Sequence, residues 1–274
     1  MLRELSNREG NRIRLRGSII MMVSLLGLML YSTACSRVSL RRTPVVRVVR
    51  EYSPAVVNIR TERVVDLKQY PEWGQYGEQL DAFFKEYFGE DYSEGILKYK
   101  ALGSGVIVDG TGLIVTNAHV VQKATSIYVV LRDHTVLKAK VSQLDRTDDL
   151  AVIKTELPNP VEQVPFADIH DVMIGETVIA IGNPLGLENS VTVGVISGKD
   201  RTFSSPQCEY VCSGLLQTDA SINPGNSGGA LLNLDGELIG VNLAVVRNAQ
   251  NIGFAIPVDK IRRLLKQGGN PRIK

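Results

Sequence analysis

From Leu102 to Pro257 the chain is a succession of short, β-prone apolar runs separated by turn signals, a pattern that few scaffolds accept. The runs fall at residues 104–108, 112–116, 127–131, 136–141, 150–155, 177–181, 190–197, 215–218, 230–233, 238–246 and 252–256. Asp109-Gly110 and Asp235-Gly236 stand between apolar runs, as hairpin turns do. Regular short strands with so little helical period predict an all-β barrel or sandwich protein. Helical spacing returns at the margins. Residues 44–52 read as a short helix halted before Pro54, with a first strand at 55–59. Val258, Ile261, Leu264 and Leu265 lie on one face of a closing helix that Gly268-Gly269 stops. Residues 66–98 break the pattern. They hold Tyr70, Trp73, Tyr76, Phe83, Phe84, Tyr87 and Phe88 among charges, and read as an insertion with a helix near 81–88. Its aromatics suit a contact surface, or packing onto their own domain.

The N-terminus is of another kind. Arg12, Arg14 and Arg16 precede an uncharged run over residues 17–36, the plan of an export signal. That run is also long enough to span a bilayer, for which ~17–25 apolar residues suffice. Ser32-Thr33-Ala34-Cys35 ends it and resembles a bacterial lipoprotein signal, with Cys35 as the lipidated residue. The leucine usual three residues before that cysteine is replaced by Ser32. A lipoprotein, an uncleaved anchor and a cleaved signal stay open, and each exports the remainder. Residues 1–35 carry five Arg and two Glu, which leaves the remainder at a net charge of −1. A nearly neutral body has no global footprint for nucleic acid. Arg37, Arg41, Arg42, Arg47 and Arg50 follow the run, as a solvated tether or a contact with anionic headgroups. Cys208 and Cys212 are four apart; an oxidising compartment permits a disulfide between them, and two thiols are the alternative. No Cys or His cluster suits a metal, and no cofactor is expected.

The chemistry gathers around Asn223-Pro224-Gly225-Asn226-Ser227-Gly228-Gly229. One hydroxyl stands between glycines, where the backbone can take positive φ and bring N–H groups close to a substrate. Serine needs a base near neutral pH, and imidazole is the usual one. Of the three histidines, His134 and His170 lie in polar turn-like stretches, whereas His119 follows a strand. A carboxylate must orient the base, and Asp145, Asp148 and Asp149 cluster before the strand at 150–153 without composition choosing among them. Chain order then discriminates. Gly225-x-Ser227-x-Gly229 matches the elbow of α/β-hydrolases, but no histidine follows Ser227 as that order requires. His, Asp, Ser on an all-β chain is the chymotrypsin order.

The chain resembles an HtrA/Deg-type serine protease of the chymotrypsin-like fold. The segments that carry the resemblance are Gly103–Val108, Thr116–Val121, Asp149–Lys154, Ile181–Gly186, Gln217–Gly229 and Gly253–Pro257. It implies a double β-barrel with the site between the barrels, Asp149 as the acid, and assembly as trimers. The barrels are then expected at 55–165 and 166–257, after a tether at 36–54 and before a helix and tail at 258–274. The family's oxyanion hole maps to Gly225, Asn226 and Ser227, and its specificity pocket to Ile222, Val245 and Val246. That apolar lining implies cleavage after small or medium aliphatic residues in unfolded polypeptide. Family members commonly carry PDZ domains next, and this sequence ends where the first would begin, so control through one is not expected. The loop expected at 198–215 lies beside the family's activation machinery, where a Cys208–Cys212 bridge would stiffen it. A chaperone-like binding module on a protease fold and a non-proteolytic acyl hydrolase are the competing classes.

Overall fold

Two six-stranded barrels, each closed by its own hydrogen bonds, carry the chain from Val56 to Pro257. The computed structural model describes residues 41–269 except 70–91, 94, 162, 184–188, 205–210, 224 and 246–250. Met1–Thr43 and Pro44–Lys274 are separate units, and both barrels belong to the second.

The first barrel closes in the order β1 (Val56–Asp66), β5 (Ser126–Val130), β6 (Val136–Asp145), β7 (Leu150–Lys154), β4 (Leu113–Asn117) and β3 (Ile96–Ile107), with β3 returning to β1. The short β2 (Tyr92–Ser93) pairs with the start of β3. The second barrel runs β10 (Val211–Thr218), β13 (Gly253–Pro257), β12 (Leu238–Val245), β11 (Ala230–Leu232), β8 (Thr177–Gly182) and β9 (Ser190–Ser204), and β9 closes onto β10. Closure leaves no long unpaired edge, which suits strands this apolar. Branched side chains with no exposure fill each interior: Ile59, Ile107, Ile114 and Ile153 in the first, Val178, Ile196, Leu231 and Ile239 in the second.

The opening helix α1 (Pro44–Tyr52) ends one residue before Ser53-Pro54-Ala55, as Pro54 requires. In the closing helix α3 (Val258–Gln267) the residues buried are Val258, Ile261, Leu264 and Leu265, the face that the spacing predicts. Each such side chain stabilises the docked helix by roughly 1.5–3 kcal/mol.

Two expectations need correction. The strands at the insertion reach further than the apolar pattern: β1 pairs with β3 from Val56–Val106 out to Asp66–Ile96, so 96–98 belong to a strand. Backbone pairing with a neighbouring strand sustains a strand where the hydrophobic pattern has already faded. The expected loop at 198–215 is mostly a hairpin, since β9 continues to Ser204 and β10 begins at Val211. Register shifts beside Leu215 and Gln217 bend this pair, which blurs the two-residue alternation in sequence. The helix expected near 81–88 lies outside the described residues, as do Cys35 and the whole apolar leader. Among the described residues no helix is long and apolar enough to cross a membrane.

Candidate active site

His119 sits in α2 (Ala118–Val121), one short helical turn that follows β4 directly. Asp149 ends the turn between β6 and β7 with a φ of 50°, a left-handed conformation that aspartate tolerates better than most residues. That turn points the whole residue at α2. The Asp149 carbonyl accepts from Ala118 N at 3.0 Å and from Asn117 Nδ2 at 3.2 Å. Its Oδ1 accepts from His119 N at 2.8 Å, and its Oδ2 meets His119 Nδ1 at 2.6 Å. The carboxylate is buried, while a quarter of the His119 side chain (25%) is exposed on the other side. An acceptor-only carboxylate on Nδ1 makes that nitrogen the N–H and leaves Nε2 the basic one.

The neighbouring carboxylates do other work. Asp145 accepts from the N–H groups of Thr147 and Asp148 and shapes the turn. Asp148 pairs with Lys260 Nζ of α3 at 2.6 Å, and the same ammonium donates to Ser213 O of β10 at 2.6 Å. The closing helix thus ties the acid-bearing turn of the first barrel to a strand of the second. His134 and His170 are exposed in turns, away from this cluster.

Ser227 belongs to the second barrel and is held against the first. Ser104 N donates to Ser227 O at 2.9 Å, and Ser104 Oγ donates to Gly225 O at 2.5 Å. The same Oγ accepts from Asn183 N at 2.8 Å, so one buried hydroxyl joins β3, the serine turn and the end of β8. Asn58 Nδ2 donates to Asn183 O at 2.8 Å and completes the seam. Ser104 O accepts from Thr116 Oγ1 at 2.7 Å, three residues before His119. Gly228, at φ 84°, presses on that pair: a Cβ there would lie 2.1 Å from Ser104 O and 2.4 Å from Thr116 Oγ1. Gly182 yields to Asn226 in the same way, since its Cβ would fall 2.4 Å from Asn226 Oδ1. Gly228 therefore lets the two barrels approach backbone to backbone, and Gly182 lets the serine turn lie against the end of β8.

Other groups of the turn are committed: Asn226 N donates to Asn223 O, Gly228 N to Asn242 O and Gly229 N to Asn226 O. Among the described residues the N–H groups of Gly225 and Ser227 have no hydrogen-bond partner. No hydrogen bond joins Ser227 to His119 among the described residues.

Ile222 is 1% exposed and packs in the second barrel's core, where a Cβ on Gly253 would lie 2.7 Å from its Cγ1. Val245 is the last residue of β12 and pairs with Gly253; Val246 lies outside the described residues. Cys212 is buried opposite Phe203, while Cys208 lies outside the described residues. In the sequence, Ser104 and Asn183 stand out only as parts of motifs. A serine between two glycines inside a strand was the available signal for Ser104, because such glycines mark close backbone approach.

Similarity to known proteins agrees with this geometry. A family model described as a trypsin-like peptidase domain matches residues 103–241. The putative serine protease HhoB of Synechocystis sp. is 44% identical over 216 residues, covering 78% of this chain and 50% of that protein. The periplasmic pH-dependent serine endoprotease DegQ of Escherichia coli is 37% identical over 219 residues, covering 78% and 46%. An HtrA-type protease solved with a decapeptide superposes with a TM-score of 0.66 at 32% identity, covering 82% of this chain and 68% of that one. The chain spans about half the length of the curated relatives it matches. The double barrel, the seam and these matches together assign the chain to the trypsin-like peptidases of HtrA type.

Proposed function

We propose that this chain is an exported serine endopeptidase that cleaves unfolded polypeptide in the cell envelope. The observation that carries the reading is the 2.6 Å contact between Asp149 Oδ2 and His119 Nδ1, with the Ser227 turn bound to the barrel that holds His119. In the catalytic cycle Ser227 Oγ attacks the peptide carbonyl while His119 Nε2 takes its proton. Asp149 keeps the ring in the productive tautomer and stabilises the imidazolium that forms. The tetrahedral oxygen is received by the N–H groups of Gly225 and Ser227, whose lack of another partner among the described residues suits them to it. Asn226 shapes that turn against Gly182. His119 then protonates the leaving amine, and the C–N bond breaks to give the acyl-serine. Water, deprotonated by His119, attacks the ester and releases the acid and Ser227.

Ile222, Val245 and Val246 form the acyl-side specificity pocket, with small or medium aliphatic residues preferred. Neighbouring aliphatics differ there by only ~1–3 kcal/mol per methylene. The N-terminal run tethers the enzyme to the membrane as a lipidated Cys35 or as a spanning segment, and three chains assemble. The relatives' names support the periplasmic side. A Cys208–Cys212 bridge would brace the β9–β10 hairpin near Lys260 and its partner Ser213 O.

A fluorophosphonate probe tests the core of this reading. Labelling is expected at Ser227, together with casein cleavage that Ser227→Ala abolishes. A chain that binds casein but takes up no label would instead be the binding module, and undiminished cleavage by Ser227→Ala would end the assignment.

A further inference from the structure

A groove of about 520 Å³ opens beside His119, and the described residues that line it belong to the first-barrel half of the chain. Thr61 and Arg63 of β1, Ala101 of β3, and Lys123 just beyond α2 line it with His119. Arg63 shares the Thr61 face of β1 by the two-residue period, and Lys123 stands one helical turn on from His119. Among the described residues none that lines the groove is acidic. We propose that this groove is a leaving-group-side subsite that takes acidic side chains of the substrate polypeptide two to three residues beyond the scissile bond.

The direction follows from the geometry. The inference rests on the protease reading, in which the scissile carbonyl lies at Ser227. The acyl half then runs along the second barrel, where Ile222 and the end of β12 stand. The leaving nitrogen must meet His119, so the other half departs across the first barrel. Ser104, which holds Ser227 O, is three β3 residues from Ala101 in the groove. Three strand residues span about 10 Å, so the second or third residue of an extended leaving chain reaches the groove. There it meets Arg63 and Lys123, both exposed residues. An exposed ion pair is worth up to about fivefold, so two together give roughly five- to tenfold discrimination between acidic and basic substrates, weakening with salt.

The test uses the full chain and three peptides with one acyl half, valine before the scissile bond, and Asp, Ala or Lys at the second and third positions after it. The expected order of kcat/KM is Asp over Ala over Lys, with the spread narrowing in high salt. Arg63→Glu/Lys123→Glu should reverse the order, while Lys140→Glu on β6 should preserve it. Binding is read separately on the Ser227→Ala chain, where the leaving-half peptide with Asp should bind more tightly than its Ala counterpart. Equal rates and equal binding across the series, or an unreversed order in the double variant, would overturn the subsite. Absent turnover with selective binding would count against the protease reading and support the groove.

Discussion

Replacing Ser104 by alanine tests whether one buried hydroxyl holds the two barrels in working order. The side chain has no solvent exposure, and its Oγ bonds Gly225 O at 2.5 Å and Asn183 N at 2.8 Å. Asn183 is 3% exposed, so its N–H loses its partner without gaining water, at about 1–3 kcal/mol. Gly225 is half-buried and its carbonyl can be rehydrated, which limits that loss to about 1 kcal/mol. The sum is about 2–4 kcal/mol, or a melting temperature lower by roughly 5–15 °C at ~2–4 °C per kcal/mol for a body of this size. The Gly225 peptide also loses its anchor. If about 1.4 kcal/mol of the loss falls on the working conformation of the turn, the reactive fraction falls about tenfold. The assay pairs thermal unfolding with the rate of fluorophosphonate labelling, measured well below the melting point so that unfolding does not enter. A Ser104→Ala protein that melts and labels like its parent would refute the argument, because the seam would then hold without the hydroxyl.

Asp149→Asn should leave the protein folded and cut turnover on the order of 10⁴-fold, because an amide facing Nδ1 favours the wrong tautomer; near-parental turnover at pH 7 would exclude Asp149 as orienter. Gly228→Ala meets backbone at 2.1 Å under a φ of 84°, so it should lower stability by more than about 3 kcal/mol or prevent folding, as read by urea unfolding. Burial raises the Glu176 carboxyl above its usual value of 4.5, and among the described residues its Oε1 has no hydrogen-bond partner. The folded state then holds the proton more tightly than the unfolded one, so stability falls as pH rises from the usual carboxylate range through the raised value. Glu176→Gln should accordingly be more stable than the parent at pH 8, with the gain shrinking towards pH 4; an equal gain at both would rule out the linkage.

The sequence alone determined the all-β class, the closing helix and the family, and it singled out one serine and one histidine as candidates. These are local properties: short apolar runs between turn signals, the 3.6-residue face from Val258 to Leu265, glycines about one serine, and the order of three residue types along the chain. Asp149 was already harder, since three carboxylates stood within five positions and only the family resemblance chose among them. In space they separate at once: Asp145 shapes a turn, Asp148 pairs with Lys260, and Asp149 meets His119. The tertiary structure alone decided what Ser104, Asn183 and Asn58 do. Their partners lie 121, 79 and 125 residues away, and no periodicity encodes a contact between two barrels. It also turned an expected loop at 198–215 into a hairpin, because strand pairing is satisfied by a neighbour's backbone whatever the side chains' pattern. Local sequence sets which segments can be strands and which residues can react. The distances among those residues are set where the barrels close on each other, because buried donors and acceptors there must find partners across the seam.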